Sequence, residues 1–278
     1  MNIGLLHPGA MGVTVGVALA ESGHQVHWCS EGRGAATLRR AASAGFGDRQ
    51  TLPNLVRAVD GIICVCPPEA ALEVAANVER SGFSGLYVDA NAVSPDTGAR
   101  LAALLGESYV DGGIVGPPAR SPDSTRLFLS GPHAAEAAGW FSAGFMETVV
   151  LGERAGAAKA LKMCYAAYTK GASALLLAIR ALAEVEGVTD ALLAEWSRSQ
   201  PGLAERSERA AQAVSPKAWR FSGEMLEIAA TFGAAGLPGG FHGAAADVYQ
   251  RMADLKNADH AQIADVIERL LSERPSDG

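Results

Sequence analysis

The sequence predicts a doubly wound α/β domain with a mostly parallel sheet over residues 1–154, followed by an all-α domain over residues 155–278. Three observations lead there. Short apolar runs alternate with helical segments through the first half, the pattern of strand–helix–strand units. The first of these runs ends in a glycine turn that opens a helix. From Gly156 onward no strand run remains, and alanine- and leucine-rich helical segments follow one another.

Taken in order, Asn2–Leu6 is the first apolar run, and residues 10–22 carry Val13, Val17, Ala18 and Ala20 on an apolar side before Gly23 stops the helix. Gln25–Cys29 reads as the next strand. Further strands are expected at 62–66, 86–89, 109–111, 127–130 and 148–151. In the second half, helices are expected at about 156–186, 189–199, 201–213, 217–232, 240–254 and 259–272. Gly187, Pro201-Gly202, Ser215-Pro216 and the run from Gly236 to Gly240 punctuate them. Only the last turn, Ser272 to Gly278, reads as disordered.

Composition bounds the function. Hydrophobic residues make up 49% of the 278, against 19% charged, which is enough apolar material for two cores. A net charge of −7 without a Lys/Arg cluster argues against a nucleic-acid partner. The most apolar stretch, Ala172 to Ile179, is far too short for a membrane span. Met1 leads straight into the first strand with no basic segment or cleavage site, so a cytoplasmic protein acting on a small molecule is expected. Cys64 and Cys66 form C-x-C in an apolar run and read as reduced, buried small residues on one strand face. No pattern of metal ligands accompanies them.

The first turn reads His7-Pro8-Gly9-Ala10-Met11-Gly12. It holds the second and third glycines of the dinucleotide-binding fingerprint G-x-G-x-x-G, with His7 in place of the first. Gly9 would let the backbone approach a pyrophosphate, and Gly12 would let helix and strand pack closely. The anion would sit at the helix N-terminus. His7, Pro8, Gly9, Ala10 and Met11 are therefore candidate cofactor contacts on a Rossmann domain. At the end of the second strand, Ser30 falls where NAD enzymes carry an acid, and Arg33 stands within reach of a 2′-phosphate. That favours NADP(H). Glu31, turned inward, would instead bind the ribose diol and leave NAD(H) possible; Arg33 reads alternatively as a solvated surface charge.

On the first helix of the second half, Lys162, Tyr165, Thr169 and Ser173 make one polar stripe among apolar positions. A lysine held among apolar groups has its charged form disfavoured, which suits it to general acid/base work on an alcohol or carbonyl oxygen. The plainer reading is a lysine whose stem packs while its ammonium reaches water. Lys159 and Lys170 read as surface residues.

Four segments together resemble the β-hydroxyacid dehydrogenase superfamily, which includes 3-hydroxyisobutyrate and 6-phosphogluconate dehydrogenases. Residues 3–26 resemble its cofactor motif. Asp60 to Pro67 resembles the strand that passes the cofactor ribose, with Cys66, Pro67 and Pro68 as implied contacts. Val88 to Pro95 resembles the segment near the nicotinamide, where Asn91 would contact the carboxamide or the substrate. Residues 156–165 resemble the catalytic helix, with Lys162 at the position of the catalytic lysine. The resemblance implies a homodimer, with a helical domain that completes the active site.

The chain also departs from the family. The substrate loop reads Asp111 to Pro118, with Val115 where the family has a serine, so Gly113, Ile114, Val115 and Gly116 would line substrate through backbone groups. Tyr165 and Ala166 stand where the family carries an asparagine or a His-Asn pair, and a later family lysine falls near Glu224. Arg220 would anchor a substrate anion or be a plain surface arginine. His242, in a glycine-rich loop, either faces the cleft or has no role. The expected chemistry is hydride transfer with a small hydroxy-acid-like alcohol or carbonyl, with Lys162 as acid/base and Tyr165 orienting the same oxygen. Alternatives are an imine or ketimine reductase on the same scaffold and a non-catalytic NADP(H)-sensing protein.

Overall fold

A computed structural model describes residues 1–258 and 261–272. The chain divides into two compact units, Met1–Met163 and Cys164–Gly278. The division falls within a helix whose first turns pack with the first unit, nine residues beyond position 154.

The first unit is built on an eight-stranded sheet. Its elements are β1 (Asn2–Leu6), α1 (Gly12–Glu21), β2 (Gln25–Trp28), α2 (Ala35–Ser43), β3 (Gly47–Asp48), α3 (Leu52–Val56), β4 (Gly61–Cys64), α4 (Ala71–Arg80), β5 (Leu86–Asp89), α5 (Pro95–Leu105), β6 (Tyr109–Val115), β7 (Thr125–Ser130), α6 (Ala134–Ala138) and β8 (Met146–Val150). Strand order is β3-β2-β1-β4-β5-β6-β7-β8. All neighbours are parallel except β6 and β7. Strand order reverses between β1 and β4, and such a switch point opens a crevice at the carboxyl ends of the strands.

Alternate strand residues face opposite layers. Ile3, Leu5, Ile63 and Val88 join Val15 and Leu19 of α1 and Trp140 in one core. Leu6, Ile62, Cys64 and Tyr87 join Ala75 of α4 and Leu101 of α5 in the other. Each core buries several large side chains, at about 1.5–3 kcal/mol apiece, which is why the strands read as near-continuous apolar runs.

The second unit carries most of α7 (Ala157–Val185), then α8 (Thr189–Ser199), α9 (Leu203–Val214), α10 (Ala218–Ala234), α11 (Gly240–Arg251) and α12 (Ile263–Leu271). Met225 and Ile228 of α10 and Ala245, Ala246 and Tyr249 of α11 are buried, and Phe221 meets the Tyr249 ring edge-on at 5.4 Å. Lys170 is not the surface residue its type suggested. It pairs with Glu224 beneath the Phe221 ring, with 12% of its side chain exposed, and Tyr249 donates its hydroxyl to the Lys170 carbonyl at 2.8 Å. Among the described residues no helix is long and apolar enough to cross a membrane. Beyond Ser272, the stretch expected to be disordered lies outside the described residues.

Three elements differ from expectation. β3 is two residues long and carries no apolar pattern, yet Asp48 at its end accepts the Ser30 and Gln50 amides. β6 runs on to Val115 because β7 pairs with it antiparallel through Val115↔Arg126. Gly113, Ile114 and Val115 are therefore strand residues rather than a loop. His242 lies in the first turn of α11, not in a loop.

Candidate active site

The turn after β1 sits at the switch point. Gly9 donates to the His7 carbonyl at 2.8 Å, and Val13 donates to Gly9 at 2.9 Å. The amides of Ala10, Met11 and Gly12 precede that first helical bond, as unpaired donors do at a helix N-terminus. The two glycines differ in their surroundings. A Cβ on Gly12 would stand 2.0 Å from the His7 carbonyl oxygen, whereas a Cβ on Gly9 would meet nothing within 4 Å. Gly12 serves close packing of α1 on β1, and the space over Gly9 is open. That is what a diphosphate laid on this turn requires. Arg40 of α2 braces the turn by donating Nε to the Pro8 carbonyl at 3.2 Å.

Beside the turn lies a cleft of about 460 Å³ lined by His7, Cys29, Glu31, Arg33, Asn77 and Arg80, among others. Burial, helped by the charge of Arg33, lowers His7 from 6.5 to about 4. Both His7 ring nitrogens are buried without a hydrogen-bond partner. Ser30 is half-buried; Glu31 and Arg33 are exposed. Arg80 and Asn77, joined by a 2.5 Å hydrogen bond, come from the last turns of α4. The sequence gives no signal for them, because nothing local places α4 against the end of β2.

The carboxyl ends of β4, β5 and β6 carry a buried network. Lys159, fully buried, is the second residue that the sequence misplaced at the surface. Its Nζ donates to Asp89 Oδ1 at 2.5 Å and to the carbonyls of Asp89, Gly112 and Asn91 at 2.7, 2.8 and 3.1 Å. Asn91 donates Nδ2 to Asp89 Oδ2 at 2.7 Å, and its Oδ1 accepts the Cys66 amide at 2.5 Å. Asn91 is 2% exposed, with both ends of its amide engaged. The residue expected to contact cofactor or substrate here holds the Cys66 backbone. Cys66 itself is half-buried, Pro67 exposed and Pro68 buried. Its Sγ lies 3.7 Å from Cys64, and both thiols are free. The Cys64 contact and burial push the Cys66 thiol up, so it stays protonated at neutral pH.

Asp111, paired with Asp89 across β5 and β6, caps α7. Its Oδ2 accepts the Ala158 amide at 2.9 Å, the Lys159 amide at 3.4 Å and the Ser130 hydroxyl at 2.5 Å. Burial, with the Asp89 and Asp111 charges, raises the neighbouring Tyr109 hydroxyl. The helix then crosses β6 closely at Gly113, where a Cβ would stand 2.8 Å from the Ala158 carbonyl and 3.1 Å from Lys162 Cβ. The chain turns out of β6 at Gly116, whose φ is +119°.

Lys162 is thereby fixed, half-buried, over the end of β6. Tyr165, one turn on in the second unit, is 47% exposed. Thr169 and Ser173 bond back to the Tyr165 and Thr169 carbonyls. The polar stripe is thus real in register but not uniformly buried. Arg220 is exposed on the first turn of α10, 5.4 Å over the Phe221 ring. His242 packs on Phe232 and Phe241 with Nδ1 unpartnered, and burial lowers it.

Residues 183–252 match the family described as a domain of unknown function, DUF1932. An uncharacterised 28.5 kDa protein of Methanothermus fervidus is 31% identical over 170 residues, spanning 61% of this chain and 66% of that protein. Among solved structures, a conserved protein of unknown function with structural similarity to 3-hydroxyacid dehydrogenases matches at TM-score 0.66 and 25% identity, over 94% of this chain and all of that one. A Mycobacterium tuberculosis 3-hydroxyisobutyrate dehydrogenase in complex with L-serine matches at TM-score 0.72 and 18% identity, over 98% and 99%. A reductive aminase of Aspergillus terreus, solved with NADPH and ethyl levulinate, matches at 0.55 and 20%, over 96% and 98%. The chain thus shares its fold with 3-hydroxyacid dehydrogenase-like structures over nearly its whole length, and its C-terminal region matches DUF1932.

Proposed function

We propose that the chain is an NADP(H)-dependent oxidoreductase that moves hydride between nicotinamide and a small alcohol or carbonyl substrate, with Lys162 as general acid/base. The observation that carries this reading is the turn at the switch point, with open space over Gly9 and packed backbone against Gly12. The dehydrogenase and reductase likenesses support the same class.

The residues fit a dinucleotide. Amides of Ala10, Met11 and Gly12 would take the diphosphate. Arg33, with Arg80 on the same cleft, favours a 2′-phosphate, and Glu31 on that rim keeps a free ribose diol possible. Bound nicotinamide would supply or accept the hydride at its C4. In oxidation, Lys162 Nζ would take the hydroxyl proton as the carbinol C–H bond gives up its hydride; in reduction it would return that proton to the carbonyl oxygen. Tyr165 would orient the same oxygen. Replacing Lys162 by Ala should lower turnover at least ~100-fold with NADPH affinity changed little. Retained turnover would remove Lys162 from this role.

An imine substrate is the second reading, favoured by the reductive aminase likeness and by Tyr165 following the lysine. Cyclic imines assayed beside hydroxy acids with NADPH separate the two. Nucleotide binding without turnover on either class would favour a sensor. A homodimer is also proposed. Tyr168, Leu175 and Leu182 follow one face of α7 at seven-residue spacing and are all exposed, a stripe suited to a second copy. Sedimentation of wild type against Leu175→Glu/Leu182→Glu reads it.

A further inference from the structure

A buried ammonium three residues before the proposed acid/base is the least expected feature of the site. Lys159 and Lys162 share a helix face, yet their surroundings differ. Lys159 Nζ has four oxygen acceptors around it and three protons to give. A neutral amine would aim a lone pair at one of those oxygens, so the geometry demands the charged form. With no exposed surface it cannot touch substrate.

Its partners lie on separate parts of the chain: Asp89 ends β5, Asn91 follows it, and Gly112 lies in β6. One atom therefore ties two strand ends to the first turn of α7. Through Asp89 the tie continues to Asn91 Nδ2 and on to the Cys66 amide after β4. A Cβ on Gly98 of α5 would come 3.3 Å from Lys159 Cγ, so the stem is clamped as well.

Resting on the oxidoreductase reading above, we propose that Lys159 is a positioning residue whose ammonium sets both where α7 holds Lys162 over β6 and where Asn91 holds the Cys66–Pro67 backbone against the cofactor. The main-chain carbonyls do most of this work, and the Asp89 charge chiefly neutralises the ammonium. That split gives a test that a purely structural ion pair would fail.

Asp89→Asn keeps Lys159 and its three carbonyl bonds; Lys159→Met/Asp89→Asn removes both charges together. Melting temperature and the NADPH dissociation constant, from nicotinamide fluorescence, are read for each. The clamp predicts that the double variant, which loses the carbonyl bonds, binds NADPH about 10-fold more weakly than Asp89→Asn, even though Asp89→Asn is the one left with a buried ammonium lacking its counter-charge and is expected to melt lower. Equal NADPH affinity in the two variants would overturn it. If the double variant does not fold, Lys159→Gln is measured in its place: it keeps two N–H donors on a shorter side chain, so a loss of a few-fold in NADPH affinity relative to Asp89→Asn is expected, and equal affinity overturns the clamp. If wild type binds neither NADPH nor NADH, the oxidoreductase reading falls by itself. Positioning is then read from acetylation of Lys162 by acetic anhydride, mapped by mass spectrometry. A several-fold change in rate between the two variants supports the clamp, and equal rates overturn it.

Discussion

Gly9 and Gly12 stand three residues apart in one turn, and adding the same methyl group to each should produce opposite results. At Gly12 the new Cβ would come within 2.0 Å of the His7 carbonyl oxygen, about 1.4 Å inside the shortest ordinary contact. The obstacle is backbone, so α1 must lift from β1, and overpacking of this size costs about 3 kcal/mol or more. At Gly9 the methyl meets no protein atom within 4 Å. Gly9→Ala should therefore leave stability unchanged or raise it by ~0.5 kcal/mol through the unfolded chain. The methyl would, however, occupy the space a diphosphate needs. A loss of about 100-fold in NADPH affinity, roughly 2.7 kcal/mol, is expected. Thermal melts and nicotinamide fluorescence titrations of both variants read the contrast. Gly9→Ala that binds NADPH like wild type would refute the placement of the diphosphate, and Gly12→Ala that melts like wild type would refute the packing argument.

Three other consequences concern neighbouring groups. His7 is held neutral by burial, its value falling from 6.5 to about 4, so the unfolded chain takes up its proton first as pH drops. Stability should be full above pH 6.5, fall by ~2–3 kcal/mol toward pH 4 and then level off. Urea midpoints of His7→Gln should show a shallower slope than wild type over that window, and parallel slopes would contradict the assignment. Asp111→Ala orphans the Ser130 hydroxyl and leaves the Ala158 amide only its 3.1 Å bond to Ser130 Oγ, for an expected loss of about 2 kcal/mol in thermal unfolding; a loss under ~0.5 kcal/mol would mean the cap contributes little. Arg33→Ala should weaken NADPH about 10-fold while leaving NADH within about 2-fold, and equal losses would remove Arg33 from 2′-phosphate recognition.

Much of the first unit was legible because parallel strands buried on both faces announce themselves as apolar runs. β1 and β5 fall on the expected residues, and α8 does the same in the second unit. What escaped depended on distant partners. β3 has two residues and no pattern of its own. β6 looked like a loop after Asp111 because glycines weaken strand propensity, yet antiparallel pairing with β7 carries it to Val115. The two lysines on one face of α7 cannot be ranked by burial without knowing that Asp89, 70 residues earlier, ends the strand beneath the first. Asn91 was expected to touch cofactor or substrate, and nothing in the sequence announces that both ends of its amide are engaged by Asp89 and the Cys66 amide.

The proposed function requires that the turn after β1 and the cleft beside it hold a phosphorylated dinucleotide. Titration of the purified protein with NADPH and NADH, followed by nicotinamide fluorescence, tests it most directly. Saturable binding of both is expected, with NADPH the tighter. Tighter binding of NADH would transfer the specificity contact from Arg33 to Glu31, and binding of neither would contradict the claim.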